Sequence, residues 1–187
     1  IRRGATIQLK GESEKILSDA TPSKTFALKP DNFFGIVPRL MVKEGERISE
    51  GAPVFNSKQD PRILFVSPVS GTVKEVVRGA KRKILKIIIE EQAGDVVTHK
   101  IPASKSLNRE NIREILLKSG TWPFIKQRPY GITADPDVTP KTIYVSTYAS
   151  APLDVDFEFL LKNNKEDFQK GIDVLNALVE NPVILSV

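Results

Sequence analysis

The stretch that decides the fold is Val42-Lys43-Glu44-Gly45-Glu46-Arg47-Ile48-Ser49-Glu50-Gly51-Ala52-Pro53-Val54-Phe55, completed by Ser67-Pro68-Val69-Ser70-Gly71-Thr72-Val73. Glycines break it into apolar pieces too short for helix, and each glycine is expected to supply a left-handed turn between short strands. The pattern extends both ways. Ile36–Val42 reads as a strand before the Glu44-Gly45 turn. Ile63–Val66 and Thr72–Val77 read as strands, Arg78-Gly79-Ala80-Lys81 as a hairpin turn, and Ile84–Glu90 as the returning strand. Turn signals every eight to twelve residues, without a 3.6-residue period, predict an all-β sandwich or small barrel over residues 1–100.

The order Val-x-x-Gly-x-x-Ile-x-x-Gly-x-x-Val-Phe followed by Ser-Pro-Val-Ser-Gly-Thr-Val resembles the biotinyl/lipoyl carrier fold, a barrel-sandwich hybrid. That family attaches its cofactor to a lysine at a hairpin tip between the two halves. Here the tip reads Asn56-Ser57-Lys58-Gln59-Asp60-Pro61-Arg62. Lys58 lies in the right region, but the Met-Lys-Met or Asp-Lys-Ala context is missing. A solvated surface lysine is the default reading, with a carrier or interaction module as the alternative.

Beyond residue 100 the pattern changes. Asn108 is placed to cap a helix that begins at Arg109, with Leu107 and Ile112 at staple spacing. Ile112, Ile115 and Leu116 are expected to share a face, and Gly120 to stop the helix. Lys141–Thr147 reads as a strand, Lys165–Glu180 as a helix and Val183–Val187 as a strand. Strand, helix, strand predicts parallel pairing in an α/β domain over residues 101–187, with the boundary near Thr98–Ser104.

Composition narrows the chemistry. The 187 residues include no Cys and one His, which excludes disulfides, thiol catalysis, Cys-ligated iron–sulfur clusters and His-rich metal sites. No apolar run exceeds four residues, so no transmembrane helix is expected. The chain has no initiator Met or signal peptide and ends on an apolar run, which suggests a piece of a longer cytoplasmic protein. No closely spaced glycines or P-loop offer a phosphate cradle. The pairs Asp135/Asp137 and Asp154/Asp156 and the lone His99 are read first as solvated surface groups, with no partner base in view.

Two stretches remain as candidate sites. Residues 1–100 hold 18 basic and 12 acidic side chains, net +6, whereas residues 101–187 hold 10 and 11, net −1. The window Lys74–Lys86 alone is net +5, with Arg78, Lys81, Arg82 and Lys83 at its centre. It contains no aromatic residue for base stacking, so lipid headgroups or an acidic protein face suit it better than nucleic acid, beside the reading of a solvated hairpin tip. The second stretch, Trp122–Gly131, holds the only Trp together with Phe124, Arg128 and Tyr130 in a Pro-punctuated loop. It can pin itself to the core through Trp122 and Phe124, anchor a partner protein, or stack on a flat redox ligand.

Taken together, Ile1-Arg2-Arg3-Gly4, Arg78-Gly79-Ala80-Lys81-Arg82, Ser119-Gly120-Thr121-Trp122, Arg128-Pro129-Tyr130 and Gly171–Leu178 resemble the A subunit of the Na+-translocating NADH:quinone reductase family, in the expected order. The resemblance implies the N-terminal part of a peripheral protein on the cytoplasmic face of the bacterial inner membrane, docked against the membrane-embedded B subunit. The complex as a whole uses flavins, iron centres, NADH, quinone and Na+. The chain is expected to carry no cofactor and no catalytic or metal residue, and to contribute to assembly and possible quinone binding at Trp122, Phe124, Arg128 and Tyr130. The resemblance also relates the second domain to the FMN-binding domain of respiratory complex I and of the Rnf electron-transfer complex. The Trp122 loop then stands where those relatives have a Gly-rich loop. An Rnf-type subunit is the alternative within this class, and the missing Gly-rich loop argues against it.

Overall fold

The computed structural model of the chain describes residues 10–11, 14–100, 108–148 and 154–186. Leu107, Val187 and Ile1–Gly4, used in the reading above, lie outside them. The chain gathers into two compact units, Pro22–Thr139 and Ile1–Thr21 with Pro140–Val187.

The Pro22–Thr139 unit begins with seven strands: β1 (Thr25–Leu28), β2 (Pro38–Leu40), β3 (Arg47–Ile48), β4 (Pro53–Ser57), β5 (Leu64–Val66), β6 (Gly71–Arg78) and β7 (Ile84–Glu91). One sheet has the order β1-β7-β6-β3 and a second the order β2-β4-β5. The pairing within both sheets is antiparallel. Strands of two to eight residues cannot each bury much, so the core is assembled from a few positions on many strands. Val54, Phe55, Val73, Ile87 and Ile89 are fully buried. Each such side chain contributes about 1.5–3 kcal/mol of transfer free energy.

The expected strands occur in order, and β1 is added to them; its four residues alternate between exposed and half-buried positions and pair with Ile87–Glu90. The hairpin turn is shifted relative to the sequence reading. Its central residues are Lys81 and Arg82, closed by the Lys83 N–H donating to the Ala80 carbonyl at 3.1 Å. The glycines also divide into two kinds. Gly45 and Gly51 have the expected left-handed backbone, φ +81° and +79°. Gly71 does not: it is needed because a Cβ there would lie 2.0 Å from the Glu90 carbonyl oxygen, where β6 and β7 meet.

The same unit contains α1 (Arg109–Lys118) and the hairpin of β8 (Lys126–Gln127) with β9 (Ile132–Thr133). Asn108 caps α1 as predicted, its side chain accepting from the Asn111 N–H at 2.9 Å. Burial on α1 falls on Ile112 and Leu117 rather than on Ile115 and Leu116, which are half-exposed. Gly120 ends the helix in a left-handed conformation, φ +70°, against Val66.

In the other unit, β10 (Tyr144–Ser146) pairs in parallel with β11 (Ile184–Ser186), as the strand–helix–strand reading requires. Between them lie α2 (Phe157–Leu161) and α3 (Lys165–Asn176). The expected helix is thus shorter at its C-terminus, and α2 is too brief to leave a periodic signature. Phe168, Ile172 and Leu175 form a half-buried stripe, with Leu178 buried just beyond α3.

The two kinds of glycine respond differently to substitution. Gly45→Ala meets open space and bears only the backbone strain, about 1 kcal/mol. Gly71→Ala must push β6 from β7 and is expected to lose several-fold more stability. Urea unfolding of both variants reads the difference.

Candidate functional site

The loop after α1 is organised by one residue that points inward. Trp122 is buried, and its indole Nε1–H donates to the Ala134 carbonyl at 2.8 Å, so the only Trp ties the start of the loop to the chain leaving β9. A buried indole needs such a partner for its N–H, which explains why the return strand sits where it does. Pro123 is buried beside it. The loop then turns out to solvent: Phe124 is 70% exposed, Tyr130 is 73% exposed, and Arg128 is exposed. The Arg128-Pro129 peptide is cis. Of the two residues expected to pin the loop, Trp122 does so and Phe124 does not, because it is largely exposed and its ring meets another ring near the surface.

That neighbour is Phe33. Phe55 stacks on Phe65 with ring centroids 4.4 Å apart, Phe65 meets Phe33 edge-on at 4.6 Å, and Phe33 meets Phe124 edge-on at 5.7 Å. Four rings thus run from the deepest core to an exposed end. The Lys126 ammonium lies 5.1 Å over the Phe33 ring, and desolvation lowers its pKa. Phe33 and Lys126 escaped the sequence reading because Phe33 lies far before the loop it supports, and no local spacing links the two.

A cleft of about 640 Å³ opens beside this region, with Phe34, Ile36, Arg62, Ile132, Thr133 and Asp137 among its walls. Arg62 is gripped from both sides. Its Nη1 and Nη2 donate to Asp137 at 2.9 and 2.7 Å, and its Nε and Nη2 donate to Asp60 at 3.0 and 2.7 Å. Arg113 of α1 adds a contact to Asp137 at 3.4 Å and pairs with Glu110. Hydrogen bonds from Arg62 hold both Asp60 and Asp137 below the usual carboxylate range, and the two carboxylates raise Arg62 in turn. These groups stay ionised at neutral pH and make a clamp, not an acid/base pair.

The other carboxylates have local duties too. Asp135 accepts from the Asp137 N–H at 2.9 Å, and Asp156 caps α2 by accepting from the Phe159 N–H at 3.0 Å while pairing with Lys15. Lys58 and His99 are exposed. Among the described residues no three His, Cys, Asp or Glu side chains gather as a metal site, and no helix is long and apolar enough to cross a membrane.

At the β6–β7 hairpin, Lys83 pairs with Asp31 at 2.7 Å and the Arg78 guanidinium donates to the Arg82 carbonyl at 3.3 Å. Lys81 and Arg82 point into solvent. Both candidate sites belong to the Pro22–Thr139 unit, and Asp31, which holds Lys83, lies two residues before Phe33, whose ring meets Phe124.

Residues 1–92 match the family model of the NqrA N-terminal barrel-sandwich hybrid domain, and residues 107–187 match that of the NqrA second alpha/beta domain. The chain belongs to the NqrA family. Its β portion is thus the barrel-sandwich hybrid expected from the glycine spacing. Among its relatives is a protein of Histophilus somni strain 2336, 30% identical over 188 residues, 99% of this chain. Another, from Vibrio vulnificus, is 33% identical over 186 residues, 98% of this chain. A third, from Neisseria gonorrhoeae strain NCCP11945, is 29% identical over 186 residues, again 98% of this chain. Each is named as the A subunit of a Na(+)-translocating NADH-quinone reductase. The chain spans 42% of the length of these NqrA relatives.

Trp122→Phe keeps an aromatic ring in place but leaves the Ala134 carbonyl without its donor, and is expected to destabilise this NqrA-family fold by about 1–3 kcal/mol. Trp122→Ala is expected to lose about 3–5 kcal/mol, read by urea unfolding. The Arg62 clamp predicts a pH signature. Because the folded pKa values of Asp60 and Asp137 are depressed, its contribution is present above the unfolded Asp value of about 3.9 and fades as pH falls through the lower folded values. Unfolding curves of the native chain and Arg62→Ala should differ at pH 7 and converge on acidification below that window.

Proposed function

We propose that this chain is the N-terminal part of the NqrA subunit of a Na+-translocating NADH:quinone reductase, and that it serves the complex as an assembly piece rather than as a site of redox chemistry. The observation that carries the reading is the succession of two NqrA domain models along the chain, with relatives of that name aligned over nearly all of it. The overall reaction is electron transfer from NADH to quinone coupled to export of Na+, with flavins and iron centres held by other parts of the complex. In this reading residues 1–100 and 101–187 are the two domains. The protein lies at the cytoplasmic face of the inner membrane and docks on the membrane-embedded B subunit.

The chemistry of the described residues supports a non-redox role. The first turn of α1 is closed by Asn108, which occupies an N–H group that a phosphate would need. Of the carboxylates that drew attention in the sequence, Asp137 and Asp156 are committed to ion pairs, Asp156 also caps α2, and Asp135 and Asp154 accept local backbone N–H groups. The exposed arc of Phe124, Arg128 and Tyr130, held out by buried Trp122, has the composition of a contact surface. Large rings beside a guanidinium suit a protein hot spot, and a quinone headgroup is the second occupant the same rings suit.

The test is made in the assembled complex. Phe124→Ala with Tyr130→Ala, and separately Arg128→Ala, should leave the fold intact, since all three side chains are exposed. Either variant is expected to reduce recovery of the purified complex, or NADH-driven quinone reduction, by about tenfold, the equivalent of about 1.4 kcal/mol. Normal assembly and normal turnover in both variants would remove this surface from the mechanism.

A further inference from the structure

The β6–β7 hairpin ends in a turn that its sequence does not favour. Lys81 and Arg82, with φ of 53° and 61°, are the non-glycine residues in the left-handed region among those described. They are consecutive, and they are the two central residues of a turn closed from Lys83 to Ala80. Hairpin turns with both central residues left-handed are ordinarily Asn-Gly or Asp-Gly, because a longer side chain resists that backbone. A Lys-Arg pair here is conformationally unfavourable, and strain of this kind concentrates at functional positions.

The frame of the tip is fixed from below. Lys83 is held by Asp31, Arg78 by the Arg82 carbonyl, and the Gly79 N–H donates to the Lys83 carbonyl at 2.8 Å. Lys81 and Arg82 are left over: among the described residues neither side chain makes a hydrogen bond or ion pair, and the same is true of Lys86. Leu85, skipped in the pairing between Arg78–Ile84 and Val77–Lys86, lies over Gly79 and is 40% exposed.

We propose that this hairpin tip is a docking point for an anionic phospholipid surface. Lys81 and Arg82 sit at the end of a narrow hairpin, a shape that meets a plane of headgroups, and half-buried Lys86 lies behind them on β7. Their long side chains have no fixed partner geometry of the kind a bidentate protein contact would hold. The window Lys74–Lys86 has no aromatic ring for stacking on bases, and exposed Leu85 adds an apolar group behind the cations. Each Lys or Arg near such a surface strengthens binding by roughly fivefold. Three free cations give reversible attachment, which needs a second contact to become stable. The proposal goes beyond the assembly role above and does not require it.

The experiment is vesicle flotation of the full-length protein at about 0.1 M salt, with phosphatidylcholine alone or with added phosphatidylglycerol. Retention is expected only with phosphatidylglycerol, lost in about 1 M salt, and not displaced by millimolar inorganic phosphate. The double variant Lys81→Asn/Arg82→Gly, which gives the turn its favoured residues, should bind about 25-fold more weakly and melt at the same or a higher temperature. Lys58→Gln, an exposed lysine outside this hairpin, should bind like the native protein. Equal retention of the double variant and native protein overturns the proposal. So does retention on phosphatidylcholine alone, displacement by phosphate, or absence of vesicle binding in a protein that still assembles.

Discussion

The contact between Phe55 and Phe65 is the one on which the described β unit depends. The strands around it are two to eight residues long, and most offer only one or two inward positions. A core made of such pieces needs large side chains that touch across strands. Phe55 on β4 and Phe65 on β5 are paired in register and stack at 4.4 Å. Aromatic pairs contribute about 0.5–1.5 kcal/mol beyond their buried area. Phe33 and Phe124 extend the same contact outward, so the position of an exposed ring is set by the packing of a buried one. The loop presents Phe124 beside Phe33, which is itself half-buried against Phe65.

Charge is used in two opposite ways within this unit. At the Arg62 clamp nearly every donor is met by a carboxylate, and α1 is joined to the network through Arg113. This saturates the groups and makes them poor candidates for binding anything else, however conspicuous they are beside a cleft. At the β6–β7 tip the arrangement is reversed: cations outnumber acids, the turn backbone is strained, and the charges at the apex are unmatched. Departures from the local rules of turn chemistry are expected where a site is strained or functional, and this tip is where the described chain departs from them.

Much of the architecture was legible because glycine and proline mark turns whatever the tertiary context. Gly45 and Gly51 placed the breaks between β2, β3 and β4, and the Asn108 cap and Gly120 stop bracketed α1. What could not be read depends on contacts distant in sequence. Gly71 looks like another turn glycine, yet its role is the close approach of Glu90 on the neighbouring strand. Lys81 and Arg82 carry no turn signal, so the centre of the hairpin was displaced toward Gly79. At the candidate loop, composition singled out Trp122–Gly131, but not which aromatic faces inward; that followed from the Ala134 carbonyl, which accepts the indole N–H.

An α/β domain offers a nucleotide phosphate a seat only where backbone donors at a helix start are left free and glycines let the ligand approach the chain. At the start of α1 one such donor is taken by Asn108. The segment after the helix is a Trp-anchored loop rather than a glycine-rich one. What this arrangement provides instead is a set of exposed rings and cations held at defined positions by buried neighbours. In the assembly role proposed above such a surface holds other components in place, and its chemistry, aromatic in one region and cationic in another, divides between the two contacts proposed for it.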